Sequence, residues 1–257
     1  QGLLMAISGF DIRRGRCQRR PQSKSAPGPS ITYAAKVLAL NTSAYWPLTE
    51  TSGVVADNAE GTAALDGAYT GVTLNATTGP DGSPAGSWDG VNDLVDVYSP
   101  ELSSLFDGAE GSVSVWAKVA SAGVWTDATI RNVITFYNDG NNFIYVSKTN
   151  TDNTLQFFRK AGGGNNVYSV GSQTTTDWVQ LGITWSEAAN ETKAYIGGVV
   201  VPGSQSASAW GVSTLDASGC KIGALTTIRL WSGNIQHAAL WAGTVLTPSQ
   251  MAELAVV

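Results

Sequence analysis

The chain has 257 residues, 43% hydrophobic and 14% charged, with 29 Gly, 9 Trp and a formal net charge of −5. That is enough apolar material for a sizeable core, in one large domain or two small ones, under a surface kept soluble by Ser, Thr and Asn. No apolar run approaches the roughly 20 residues that a membrane-spanning helix needs. The two cysteines, Cys17 and Cys220, are too few and too far apart for a disulfide framework, and two free thiols are the simpler reading beside a single long-range bond.

Charge is divided unevenly along the chain. Residues 1–30 hold Arg13, Arg14, Arg16, Arg19, Arg20 and Lys24 against Asp11 alone, a net +5 that leaves −10 for residues 31–257. The apolar start, QGLLMAISGF, precedes these arginines, whereas a secretory leader carries its basic residues first. Pro21–Ser30 (PQSKSAPGPS) has the composition of an extended linker. Such an arm is expected to take shape only against a partner. Clustered arginine makes charge-assisted bonds to carboxylate or phosphate, so the six cations read as an anchor on an acidic surface or on nucleic acid. Phe10 is the arm's one aromatic residue, too little for base stacking, and sequence-specific nucleic-acid reading is not expected.

Ile31–Leu40 (ITYAAKVLAL) predicts a short lead-in helix within residues 31–43, with Val37, Leu38 and Leu40 docking on the body. Strand-like runs follow at Tyr45–Leu48, Ala68–Leu74 and Leu94–Tyr98, joined by segments dense in Gly, Asp, Asn and Ser that form ordered corners. Gly111–Ala120 (GSVSVWAKVA) alternates with period two. Val113, Val115, Ala117 and Val119 take one face and Ser114, Trp116 and Lys118 the other, which predicts a half-buried strand. Asn132–Tyr137, Phe143–Lys148, Thr154–Arg159 and Val167–Val170 are further strands, separated by Asn138-Asp139-Gly140 and by the run Gly162–Asn166. Asp177–Trp185 places Val179, Leu181, Ile183 and Trp185 on one face, Lys193–Val201 follows after an acidic turn, and Gly233–Trp241 is the last core strand. Thr247, Pro248 and Gln250 then supply an N-cap, an N1 proline and a capping-box partner for a closing helix, Pro248–Leu254.

The run AYWPLTETSG…LDGAYTG, followed by WDGVNDLVDV, GSVSVWAKVA and the pair DWVQLGITW / KAYIGG, resembles the LamG-like, concanavalin A-like lectin/glucanase jelly-roll family over about residues 44–254. The resemblance implies an all-β fold, an antiparallel β-sandwich at 44–257, carrying the extended basic arm and the short C-terminal helix. It implies a binding or structural module without naming a ligand. It also implies that Asp57, Asn58 and Asp66 lie where the family's Asp-rich loop binds or braces a calcium ion, with Asx turns as the plainer role for them. Ala59-Glu60 in that loop and Gln236-His237 on the last strand depart from the family's pattern. The latter change removes a carboxylate from the set.

Catalytic arrangements are missing from the pattern. His237 is the one histidine and sits in an apolar run, there is no Glu-x-Asp strand of the kind retaining glucanases use, and no phosphate-binding loop or Cys/His zinc set occurs. Glycan recognition uses aromatic faces, and Trp125, Trp210 and Trp231, in loop-like contexts, with Tyr168 beside the Gly-Asn run, are the candidates for sugar stacking or a subunit interface. Trp46, Trp88, Trp116, Trp178, Trp185 and Trp241 read as packing residues. The expectation is a non-catalytic structural or adhesive protein, requiring no cofactor, that joins other subunits, its own copies included, through the arm. A bacteriophage decoration or fibre protein at the virion surface fits best. An extracellular carbohydrate-binding module and a glycan-cleaving enzyme of the same fold are the alternatives.

Overall fold

In the computed structural model, which describes residues 31–150, 152–203, 205–211 and 214–257, two antiparallel sheets face each other across one core. The strands are β1 (Ala44–Trp46), β2 (Val55–Ala56), β3 (Gly67–Thr70), β4 (Thr73–Thr78), β5 (Pro84–Asp89), β6 (Leu94–Asp96), β7 (Glu110–Val119) and β8 (Arg131–Asp139). They continue with β9 (Asn142–Lys148), β10 (Leu155–Ala161), β11 (Gly164–Val170), β12 (Val179–Ser186), β13 (Glu191–Ile196), β14 (Val199–Val200), β15 (Lys221–Ile222) and β16 (Ser232–Ala242). Short helices α1 (Tyr33–Leu38), α2 (Pro100–Leu105), α3 (Gly123–Thr126) and α4 (Pro248–Glu253) sit between or beyond them. The first sheet runs β14-β13-β12-β7-β16-β5-β4, with β1 pairing beside β16; the second runs β11-β10-β9-β8-β15-β6-β3-β2. The predicted all-β, concanavalin A-like sandwich is what the chain forms.

Two expected strands each divide. Ala68–Leu74 breaks at Gly71, whose φ of 74° turns the chain from β3 in the second sheet to β4 in the first. Lys193–Val201 is a tight hairpin, because Gly197 and Gly198 adopt φ of 57° and 73°, a region open to glycine at little steric cost.

The alternation places Val113, Val115 and Ala117 of β7 with Leu181, Ile183 and Trp185 of β12 in the core between the sheets, where Ile144, Val146 and Phe157 meet them from β9 and β10. The other face of β7 corrects the half-buried expectation. Ser114 and Trp116 are buried as well, because α1 and α4 cover the outer side of the first sheet. There Tyr33, Val37, Tyr45, Trp116, Tyr195, Trp241, Met251 and Leu254 form a second apolar cluster. Thr32 caps α1 by accepting the Ala35 N–H; Val37 is buried as expected, and Leu38 and Leu40 pack against the cluster. The Tyr33 hydroxyl donates to the Leu254 carbonyl at 2.9 Å and accepts the Trp116 Nε1–H at 3.0 Å, tying both ends of the domain to the sheet. The predicted capping box of Thr247 and Gln250, with Pro248 at N1, starts α4.

β16 contains a bulge between Gln236 and Ala239. It lies where the neighbour on one side changes from β5, paired through Ile235, to β1, paired from Ala238. His237 takes a φ of 52° there and donates its backbone N–H to the Pro47 carbonyl. Cys220 is a buried free thiol whose pKa burial pushes up to about 12; Cys17 lies outside the described residues. No described helix is long and apolar enough to cross a membrane.

Candidate functional site

The four aromatic residues singled out from loops all lie inside the domain. Trp125 is 5% exposed, Tyr168 4%, Trp210 8% and Trp231 1%. Each belongs to the core cluster between the sheets, and polar atoms on three of them find backbone partners. Trp125 Nε1 donates to the Thr175 carbonyl, the Tyr168 hydroxyl to the Thr192 carbonyl at 2.6 Å, and Trp231 Nε1 to the Lys118 carbonyl. Trp210 packs edge-on against Phe106, beneath the buried Arg159 guanidinium. A loop ring this large gains more from capping the core than from facing water. These residues are therefore not stacking platforms. Five of the six tryptophans assigned to packing are buried, and Trp178 is half-buried with Lys118 over its ring.

Arg13, Arg14, Arg16, Arg19, Arg20 and Lys24 lie outside the described residues. In the Asp-rich loop, Asp66 Oδ1 accepts the Asn58 N–H at 2.8 Å and Asn58 Oδ1 accepts the Glu60 N–H at 3.0 Å. The Asp57 side chain stays exposed while its N–H goes to Glu50 Oε1. These oxygens brace the turn, and the buried Asn58 Nδ2, a donor, lies among them; the set fits Asx turns and not an oxygen shell for calcium. Among the described residues no three His, Cys, Asp or Glu side chains gather as metal ligands do. Asp139 likewise braces its hairpin, accepting from the Asn141 N–H and Asn142 Nδ2.

His237 is 2% exposed. Its Nδ1 lies 2.7 Å from the Tyr45 hydroxyl, its Nε2 3.2 Å from Asp81 Oδ2, and the Tyr33 ring packs 4.3 Å from it. The imidazole and the Ser83 bonds hold the Asp81 carboxyl well below the usual carboxylate range, against the opposing effect of burial. Beside it, Gln236 Nε2 donates to Ser83 Oγ and to the Pro84 carbonyl. The network pins the β4–β5 turn to the bulge. Within it the His237 ring is buried, and Asp81 meets solvent at the turn.

The open surface is on the other sheet. On β9 and β10 the inward residues are Ile144, Val146 and Phe157, so Phe143, Tyr145 and Phe158 stand on the outer face, and none of them belongs to either apolar cluster. Register brings them together. Phe143 pairs with Tyr137 of β8 and with Lys160 of β10, and Tyr145 pairs with Phe158. The rings are nearly parallel and offset: Phe143 to Tyr145 is 5.5 Å at 5°, Phe143 to Phe158 5.2 Å at 23°, Tyr145 to Phe158 5.2 Å at 21° and Phe143 to Tyr137 6.1 Å at 17°. Tyr137, Phe143 and Phe158 remain partly exposed. Such offset stacking is the favoured geometry for aromatic pairs, and here it joins the rings into one apolar row across three strands.

Polar groups rim the tiles. Gln156, one register step from Phe158, accepts the Tyr145 hydroxyl at 3.2 Å; on β11, Asn165 pairs with Lys160 and Ser169 with Gln156. Lys160 Nζ stands 5.9 Å from the centre of the Phe143 ring and the Arg229 guanidinium 5.8 Å from that of Tyr145. Arg229 comes from a tight loop closed by reciprocal backbone bonds between Leu225 and Ile228, and its carbonyl accepts the Asn132 N–H of β8 at 2.7 Å. Sequence reasoning passed over this face because Phe143-Ile144-Tyr145-Val146 is apolar on both sides, which hides the inward side from the period-two pattern.

A laminin G family model, described as the concanavalin A-like lectin/glucanases superfamily, matches residues 89–252. No curated protein sequence matches the chain. Among solved structures, domain 4 of AbnA, a GH43 extracellular arabinanase from Geobacillus stearothermophilus in complex with arabinotriose, superposes with a TM-score of 0.59 at 19% identity, over 83% of this chain and 98% of that domain. The receptor binding domain of botulinum neurotoxin D superposes with a TM-score of 0.61 at 14% identity, over 83% of this chain and 52% of that one. At these identities the likeness shows a shared lectin-like fold.

Proposed function

This chain belongs to the concanavalin A-like lectin/glucanases superfamily, and from that premise we propose that it is a non-catalytic glycan-binding domain whose binding surface is the tiled aromatic face of the second sheet. The observation that carries the reading is the stacked row of Tyr137, Phe143 and Phe158, left part-exposed around the buried Tyr145 on a sheet whose inner face already holds the core. The C–H faces of sugar rings stack on aromatic surfaces, and the amides and hydroxyls of Gln156, Asn165 and Ser169 suit sugar hydroxyls. A flat, rimmed floor favours a length of polysaccharide over a single small ligand. The same fold in an arabinanase domain complexed with arabinotriose supports this.

In the fuller form of the proposal the domain works outside the cell as an adhesive part of a larger assembly. The basic arm, with Arg13, Arg14, Arg16, Arg19, Arg20 and Lys24, anchors it, a bacteriophage virion surface is the assembly, and other copies of the chain are among its neighbours. The support is the charge split, +5 in residues 1–30 against −10 in the remainder.

Glycan-array binding of the full chain beside a Phe143→Ala/Phe158→Ala variant tests the site. Loss of about tenfold or more in affinity, with melting temperature within a few degrees of wild type, is the expected result. A wild type that retains no glycan, or a variant that binds as well, overturns it. For the anchor, chain 31–257 should keep its circular dichroism melt yet fail to join the parent assembly; incorporation equal to the full chain overturns that part.

A further inference from the structure

Two cations stand over the aromatic floor, and neither forms an ion pair among the described residues. Lys160 Nζ lies over Phe143 and donates to the Gly140 carbonyl at 2.7 Å; Arg229 lies over Tyr145. Elsewhere the cations of this sheet are matched, Lys221 to Asp96, Arg131 and Lys148 to Asp127, and Arg159 to Glu187. The carboxylates on the adjoining turns are engaged. Asp139 holds its hairpin, and Asp216, whose N–H meets the Tyr137 carbonyl, accepts from the Ser218 N–H and hydroxyl. The body around this pair is strongly acidic; Lys118 over Trp178 is a further cation on a ring, but here two of them stand over adjoining rings.

Arg229 adds a second observation. Its φ is 55°, in the left-handed region where a side chain is strained and glycine is not. An arginine held there, by a backbone bond to β8 on one side and a closed turn on the other, is placed where its guanidinium meets the floor. The loop itself would be better served by glycine.

Resting on the glycan-binding reading above, the geometry points to acidic polysaccharides as the ligand class. A sugar ring rests against the part-exposed Phe143 and Phe158 while its carboxylate or sulfate reaches the Arg229 guanidinium, which can offer paired donors, with the Lys160 ammonium as a second charge. An anion drawn to a pair of cations over a low-polarity floor is held more strongly than at a water-covered surface, and added salt weakens it.

The test uses the full chain in affinity electrophoresis against polygalacturonate, its fully methyl-esterified form and heparin, with Arg229→Gly, Lys160→Gln, Phe143→Ala and Lys193→Gln, the last lying on the other sheet. Expected is retention by polygalacturonate well above the ester, falling as salt rises from about 0.05 M to about 0.3 M. Arg229→Gly and Lys160→Gln should each weaken it about tenfold while leaving Lys193→Gln and the melting temperature near wild type. Arg229→Gly suits the left-handed backbone, and its melting temperature separates a loss of binding from unfolding. Binding to heparin but not polygalacturonate identifies the anion as sulfate and keeps the acidic class. Equal binding of polymer and ester, or equal weakening by Lys193→Gln, sinks the charge inference while loss in Phe143→Ala still upholds the aromatic site. No retention of any of the three polymers overturns the acidic class, and the array separately decides whether the aromatic site stands.

Discussion

The two sheets present their outer faces differently. The first is sealed: α1 and α4 lie over it, Tyr33 reaches across to the last turn of the chain, and Tyr45, Tyr195 and Trp241 are completely buried. The second carries Phe143, Tyr145 and Phe158 on β9 and β10 beside Tyr137 of β8, and three of these four rings stay partly in water. Apolar surface that a fold can cover is normally covered, and these rings are left in part uncovered, which is what the proposed binding surface rests on. One outer face holds the domain together, and the other is available to a partner.

That contrast predicts its own test. Trp241→Ala, at 0% exposure beneath the helices, is expected to cost about 3–5 kcal/mol as a large cavity opens, whereas Phe158→Ala on the open face loses cross-strand contacts worth only about 1 kcal/mol. Urea denaturation of the two variants checks this. Comparable losses would mean that the aromatic floor is a structural element and would undercut its assignment as a binding surface. An effect between those two belongs to Tyr33→Phe, which leaves Trp116 Nε1 without its acceptor and the Leu254 carbonyl without its donor; about 1–3 kcal/mol is expected, with no change in glycan binding.

Much of the sealed face was legible in the sequence, and little of the open one was. The strict alternation of Val113-Ser114-Val115-Trp116 announced β7 and its inward side, and Thr247-Pro248-Ser249-Gln250 announced α4 through local capping chemistry. That Ser114 and Trp116 would also be buried was not legible, because their cover comes from residues about 80 positions before and 130 after in the chain. The loop tryptophans misled for a related reason. A ring in a Gly- and Ser-rich context looks exposed, but Trp125 and Trp231 fold back over the sandwich ends. On β9, four consecutive apolar residues leave the inward side undecided until the register with β8 and β10 is known. Arg229 was hidden further, since nothing in the sequence marks a left-handed arginine.

The finest distinction between the faces is their response to acid. On the sealed side Asp81 faces His237, and its carboxyl titrates below the usual range chiefly because of that imidazole. A carboxyl whose folded pKa is lower than its unfolded one contributes stability that is complete above about pH 4 and is lost as pH falls toward the folded value. Asp81→Asn removes that contribution without removing the turn. The variant should be less stable than wild type at neutral pH, and the gap should close as pH is taken below about 4. Asp127 and Asp216, also shifted downward, are present in both proteins and drop out of the difference. A gap that stays constant across pH would assign Asp81 a purely steric role in the β4–β5 turn. A closing gap shows that the Asp81 carboxylate, through its contact with the imidazole, latches that turn to the bulge of β16, so acid loosens the sealed face first while the neutral rings of the open face have no carboxylate contact to lose.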